Sequence, residues 1–136
     1  MQSTTQTASV SKTMLWTGRV ISALPVLTLL FAGGMKLMKS AAVLQGFAQY
    51  GYPDRLIVMI GVLEVACTVV YLIPRLSVLG AILMTAFLGG ATASNVRIGS
   101  SSWVITVALG ILVWVGLYLR DPRVRALVPL CSRVQN

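Results

Sequence analysis

From residue 56 to residue 73 the chain reads LIVMIGVLEVACTVVYLI, eighteen residues with a single charge, Glu64, at the ninth position. A run that long and that apolar crosses a bilayer as a helix, because a helix satisfies its own backbone polar groups where no water can. A carboxylate midway along such a run is expensive. It is retained when a neighbour pairs with it or when it does chemistry. The remaining segments must supply its walls and its counter-charges.

Three more apolar runs accompany this one. Of the 136 residues, 57% are hydrophobic and only 10% are charged, with a mean hydropathy of +0.86; a soluble domain carries about a quarter charged residues. The fold class that follows is all-α: a polytopic membrane four-helix bundle. Spans are expected at about residues 15–38, 56–73, 76–96 and 103–119, within one domain over 14–130. A disordered polar tail, residues 1–13, precedes it, and a short tail, 131–136, follows. Lys12 and Arg19 ahead of an apolar core would also suit a signal peptide, but the three later runs make the first a span.

Each span shows a face of small or polar residues, the kind that packs helices together in lipid. In the first, Gly18, Ser22, Pro25, Leu29, Ala32 and Lys36 recur at spacings of four and three. In the second the stripe is Ile57, Gly61, Glu64, Thr68 and Tyr71; in the third it is Ser77, Ala81, Met84, Leu88, Ala91 and Asn95. The fourth offers Thr106, Gly110 and Gly116. The segment AAVLQGFAQYGYPDR, residues 41–55, is too short and polar to span and is predicted as an interfacial helix followed by a turn, with Tyr50 and Tyr52 at headgroup level. Pro74 and Arg75 enforce a tight turn between antiparallel second and third spans.

Four spans put both termini on one side. That side holds Lys12, Arg19, Arg75, Arg120, Arg123, Arg125 and Arg133; the other holds Lys36, Lys39, Arg55 and Arg97. The excess predicts cytoplasmic termini in a bacterial inner membrane. The net charge of +8 is spent at the ends of apolar runs, where it meets lipid headgroups, so nucleic acid is not a partner. The two cysteines, Cys67 and Cys131, form no CxxC, and there is no histidine. Disulfide relays, His-ligated haem and the common His-containing zinc sites lack their residues, and no metal site is expected.

With that topology Glu64 lies about 12 Å below the outer surface at 1.5 Å per helical residue. Lys36, Asn95, Arg97, Tyr50 and Trp103 are near the same side, while the inner half is expected to hold only small and apolar side chains. Lys36 is the first candidate partner of Glu64 and Arg97 the second. A paired, ionised Glu64 is a structural lock; an unpaired carboxyl in hydrocarbon would be a candidate general acid. Asn95 could bind a ligand or simply cross-bond neighbouring helices, and Trp103 could line a site or mark the interface. Arg120 and Asp121 are expected to pair with each other.

The stretches AGGMKLMK (32–39), GFAQYGYPD (46–54), GVLEVACTVVYLIPR (61–75), LGAILMTAFLGGA (79–91), VRIG (96–99) and GLYLRDPRVRALVPL (116–130) together resemble the DoxX-like family of small four-helix membrane proteins. The resemblance covers about residues 19–130 and rests on the order and spacing of these stretches. It implies a four-helix bundle linked to quinone and thiol stress and to accessory subunits of quinol-oxidising systems. The matching polar positions are Lys36, Glu64, Arg97, Arg120 and Asp121. Two departures stand out. The family usually has His where Asn95 stands, and an acidic residue, a Pro and a further His where this chain has Ser100, Ser101, Ser102 and Trp103. Asn can hydrogen-bond but cannot shuttle protons as imidazole does.

The leading expectation is a protein that binds a lipophilic small molecule, a quinone or an aromatic compound, in a polar outer-half cavity formed by Lys36, Glu64, Asn95, Arg97, Tyr50 and Trp103, as a redox-linked accessory or binding subunit. A second is an enzyme in which Glu64, with Lys36, is general acid or base on a lipophilic substrate in an isomerisation, ring opening or cyclisation. A third is a structural partner or chaperone of another membrane protein. No cofactor is evident beyond a bound quinone as candidate. The partners expected are membrane lipid, the lipophile, and either a second copy, which the glycine-rich third span would allow, or a redox subunit.

Overall fold

The computed structural model describes residues 11–127. It contains six helices: α1 (Lys12–Leu37), α2 (Ala41–Tyr50), α3 (Arg55–Leu72), α4 (Ser77–Arg97), α5 (Trp103–Arg120) and α6 (Pro122–Leu127). Four of them, α1, α3, α4 and α5, are long and apolar enough to cross a membrane. They form a ring in which α1 packs on α3 and α5, and α4 packs on α3 and α5. Successive spans run antiparallel. One end of the ring is covered by α2, the other is bordered by α6.

Local chemistry sets the boundaries. The first span begins earlier than the sequence pattern suggested because Ser11 caps it, its hydroxyl accepting from the Met14 N–H at 3.2 Å. Residues 11–13 of the predicted tail are therefore cap and first turn; residues 1–10 and 131–136 lie outside the described residues. Ser40 caps α2 in the same way. Gly51 ends α2 at φ 74°, a left-handed position that glycine adopts without a Cβ penalty.

The predicted stripes face the interior. Ile57, Gly61, Glu64, Thr68 and Tyr71 of α3 are all buried, and so are Gly18, Ser22, Pro25 and Leu29 of α1. Large apolar side chains point outward, Phe31 at 71% exposure and Ile105 at 61% among them. That inversion of the soluble pattern suits a bundle solvated by lipid.

At the α6 end the helices touch through backbone. A Cβ on Gly18 would lie 2.9 Å from the Gly116 carbonyl oxygen, and one on Gly80 would overlap the Tyr71 backbone. Tyr71, fully buried, donates its one proton to the Val113 carbonyl at 2.9 Å and meets the Ser22 hydroxyl, which can donate to it, at 3.0 Å. The Arg120 guanidinium lies over the Tyr71 ring, 4.8 Å from its centroid, with its Nε and one terminal nitrogen buried and making no hydrogen bond. This half is thus not lined only by small and apolar groups, as expected from sequence. Tyr71 was visible on the right face, but its partners lie 42 and 49 residues away, and periodicity does not reveal such pairs.

Asp121 does not pair with Arg120 either. It caps α6, accepting from the Arg123 backbone N–H at 2.9 Å, and it holds the Arg123 guanidinium at 3.0 Å. Pro122 then occupies the first helical position, where its missing N–H does no harm. Burial would raise the Asp121 carboxyl, but hydrogen bonds from the Arg123 side chain and backbone, with the charges of Arg123 and Arg120, hold it below the usual carboxylate range.

Candidate functional site

Glu64 is 2% exposed, and Lys36 reaches it from α1 with Nζ 2.5 Å from Oε2. Two glycines make that reach possible. A Cβ on Gly61 would meet the Lys36 Cβ at 2.9 Å, and one on Gly33 would meet Val65 at 2.6 Å. With neither Cβ present, α1 and α3 close up, and the Lys36 stem lies along α3 one turn above the carboxylate. Lys36 rather than Arg97 is therefore the partner of Glu64.

The pair sits in the wall of a cavity of about 560 Å³ in the half of the bundle nearer α2, a size usual for small-molecule sites. Leu29, Ala32, Ile60, Leu63, Phe87, Leu88 and Leu109 supply apolar walls; Lys36, Glu64, Tyr50, Tyr52, Ser94 and Asn95 supply a polar end. The roof is α2. Phe47 at 9% exposure plugs it, its ring 5.9 Å from Tyr52 and 6.3 Å from Tyr50. Tyr50 donates to the Asn95 side-chain oxygen at 2.6 Å, and Tyr52 meets the Ser94 hydroxyl at 2.8 Å. Arg97 completes the latch by donating to the Tyr50 carbonyl.

Four of the six side chains predicted to gather, Lys36, Glu64, Asn95 and Tyr50, line this cavity. Arg97 stands outside it and works through α2. Trp103 lines no part of it and is 43% exposed. Tyr52 and Ser94 were missed as lining groups. The sequence pattern puts Tyr52 with Tyr50 at headgroup level, and Ser94 is adjacent to the more conspicuous Asn95.

Donor accounting narrows what the site can offer. The single Tyr50 proton goes to Asn95, and one Asn95 amide proton goes to the Ala91 carbonyl at 2.9 Å. Lys36 retains two N–H groups beyond the one on Glu64, and Asn95 retains one. Among the described residues Glu64 Oε1 makes no hydrogen bond. A ligand at the polar end meets cationic and amide donors with one carboxylate acceptor, closed off by hydrocarbon. Among the described residues no three His, Cys, Asp or Glu side chains gather to hold a metal ion.

The family model of the DoxX-like family matches residues 20–116, a stretch that includes every residue lining the cavity. The chain belongs to the DoxX-like family. No curated protein and no solved structure matches it. Within this DoxX-like chain, Asn95, where the resemblance leads one to expect His, has both ends of its amide engaged by protein, so here the position ties α4 to the roof.

Proposed function

We propose that this DoxX-like protein binds a lipophilic small molecule, a quinone or a related aromatic compound, in the cavity beneath α2, as an accessory or binding subunit of a redox system. The observation that carries the reading is an ion pair at the polar end of a cavity whose remaining walls are mostly hydrocarbon. Quinone carbonyls are acceptors, and Lys36 and Asn95 hold the unspent donors; a flat ring suits the apolar walls. The excess of Lys and Arg at the α6 end supports a cytoplasmic α6 end in a bacterial inner membrane, with the cavity toward the outer face.

The test is a titration of decylubiquinone into the purified protein, followed through tryptophan fluorescence. Saturable binding in the micromolar range is expected. It should be lost in Lys36→Met/Glu64→Met, in which two apolar side chains replace the pair. Equal binding by that variant would refute the site. The acid–base reading is kept because Glu64 borders the cavity with one carboxylate oxygen unused: a Glu64→Gln variant that binds normally but loses turnover of a lipophilic substrate would favour it.

A further inference from the structure

We propose that the cavity is loaded sideways from the bilayer, through the seam between α3 and α4 at Ile60, Leu63, Phe87 and Gly90, by a lipophile whose polar head reaches Lys36 and Glu64 while its tail stays in the seam. The inference rests on the binding reading above and specifies the shape of the ligand and its route.

Four other ways in are shut, and a fifth, past α1, is marked by Thr28 alone, which lines the cavity and is exposed. The roof carries Phe47 and the latches from Tyr50, Tyr52 and Arg97. At the α6 end the helices meet backbone to backbone at Gly18 and Gly116 and at Gly80 and Tyr71. Gly33 and Gly61 close α1 against α3 beside the cavity. Thr92 with Thr106 at 2.7 Å, and Trp114 with Thr85 at 2.8 Å, close α4 against α5.

Between α3 and α4 the tight contact is at Gly80, far from the cavity. Beside the cavity the two helices present residues that are lining and exposed at once. Leu63 lines the cavity and is 54% exposed. Gly90 lines it too, is exposed, and a Cβ built there meets nothing within 4 Å. A residue can be both only where the cavity opens on the lipid-facing surface; three residues of the α3–α4 seam, Leu63, Ala86 and Gly90, meet that condition against one on α1, Thr28, so the main opening is the seam. The opening is apolar and the far end of the cavity is charged, so the occupant that satisfies both is an amphiphile lying with its head inward.

The test needs no knowledge of the ligand. With Cys67→Ala and Cys131→Ser as background, Leu109→Cys on α5 places a thiol across the cavity from the seam. In phosphatidylcholine–phosphatidylglycerol vesicles, membrane-dissolved N-pyrenylmaleimide should label it and the water-soluble thiosulfonate MTSES should not. Adding Gly90→Trp should slow lipophilic labelling about tenfold, and Leu63→Trp, from the opposite side of the seam, should do the same. Leu27→Trp, at a position 65% exposed and outside the cavity, should leave the rate within about twofold, and Thr28→Trp should slow it less than either seam variant. Labelling by MTSES, no labelling by either reagent, or obstruction by Thr28→Trp instead of the seam variants would overturn the proposal. Because no quinone is present, failure of decylubiquinone to bind would leave the route standing while removing the proposed function.

Discussion

Replacing Lys36 by Met isolates the energetics of the buried pair. At 2.5 Å two unit charges attract by about 7 kcal/mol at an effective dielectric of 20. That gross attraction is set against the desolvation both groups have already undergone. Removing one partner leaves the other's desolvation uncompensated, typically a loss of about 3–5 kcal/mol. The two ends of the pair are not equivalent. Lys36 sits in the last turn of α1 with 15% of its side chain exposed, whereas Glu64 is at 2%. A lone Lys36 can swing its stem toward the headgroups; a lone Glu64 has nowhere to go. Lys36→Met should therefore lose about 3–5 kcal/mol, and Glu64→Gln, which keeps an acceptor for the lysine, only about 1–2 kcal/mol. Lys36→Met/Glu64→Met should recover to within about 1 kcal/mol of the parent, since an apolar pair of similar volume has no such penalty. Reversible unfolding in mixed micelles with increasing SDS, followed by far-UV circular dichroism, gives all three values. A double variant as unstable as Lys36→Met, or a Lys36→Met loss below about 1 kcal/mol, would show that the pair is not what Glu64 depends on.

Gly80→Ala should destabilise the bundle severely, because the new Cβ overlaps the Tyr71 backbone, while Gly89→Ala, which meets nothing within 4 Å, should be neutral in the same SDS titration. The Asp121 carboxyl, held below its usual range by Arg123 once its burial is offset, contributes stability that is fully present above the ordinary carboxylate pKa and is lost as pH falls through the depressed one. Thermal melts between pH 7 and pH 3 should show that acid loss in the parent and a smaller one in Asp121→Asn.

How much of this was readable from the residues depends on range. The four spans and their inward faces follow from apolar length and a period near 3.6, and both are local properties. Lys36 as partner of Glu64 was also readable, because topology puts only a few charges at that end and only one can lie along the neighbouring helix. What periodicity could not provide is the register between helices. The Tyr71 hydroxyl bridging Val113 and Ser22 depends on how closely Gly80, Gly18 and Gly116 let the backbones approach, and nothing in the α3 stripe encodes that. Helix α6 was hidden for a different reason: Asp121-Pro122 reads as the end of a span, yet the same two residues cap and start the next helix. Trp103 stands near the outer polar groups in sequence, yet it is 43% exposed and lines no part of the cavity.

Where the glycines fall also explains why a chain this small contains a cavity. At the α6 end Gly18 and Gly116 bring α1 against α5, and Gly80 brings α4 against Tyr71 of α3, so that Tyr71, Val113 and Leu117 suffice to fill the interior. Toward α2 only one interface keeps such glycines, Gly33 and Gly61 between α1 and α3. The remaining interfaces there are spaced by Leu29, Phe87, Leu88 and Leu109, and the volume appears between them. The close interface is also the one that carries the lysine and the carboxylate. Close approach is what brings Lys36 down onto Glu64, and the wider spacing opposite is what gives that pair a space to face. Bulky substitutions at Gly33 or Gly61 would therefore break the ion pair without touching either of its members, because the distance between α1 and α3 is what holds the two charges together.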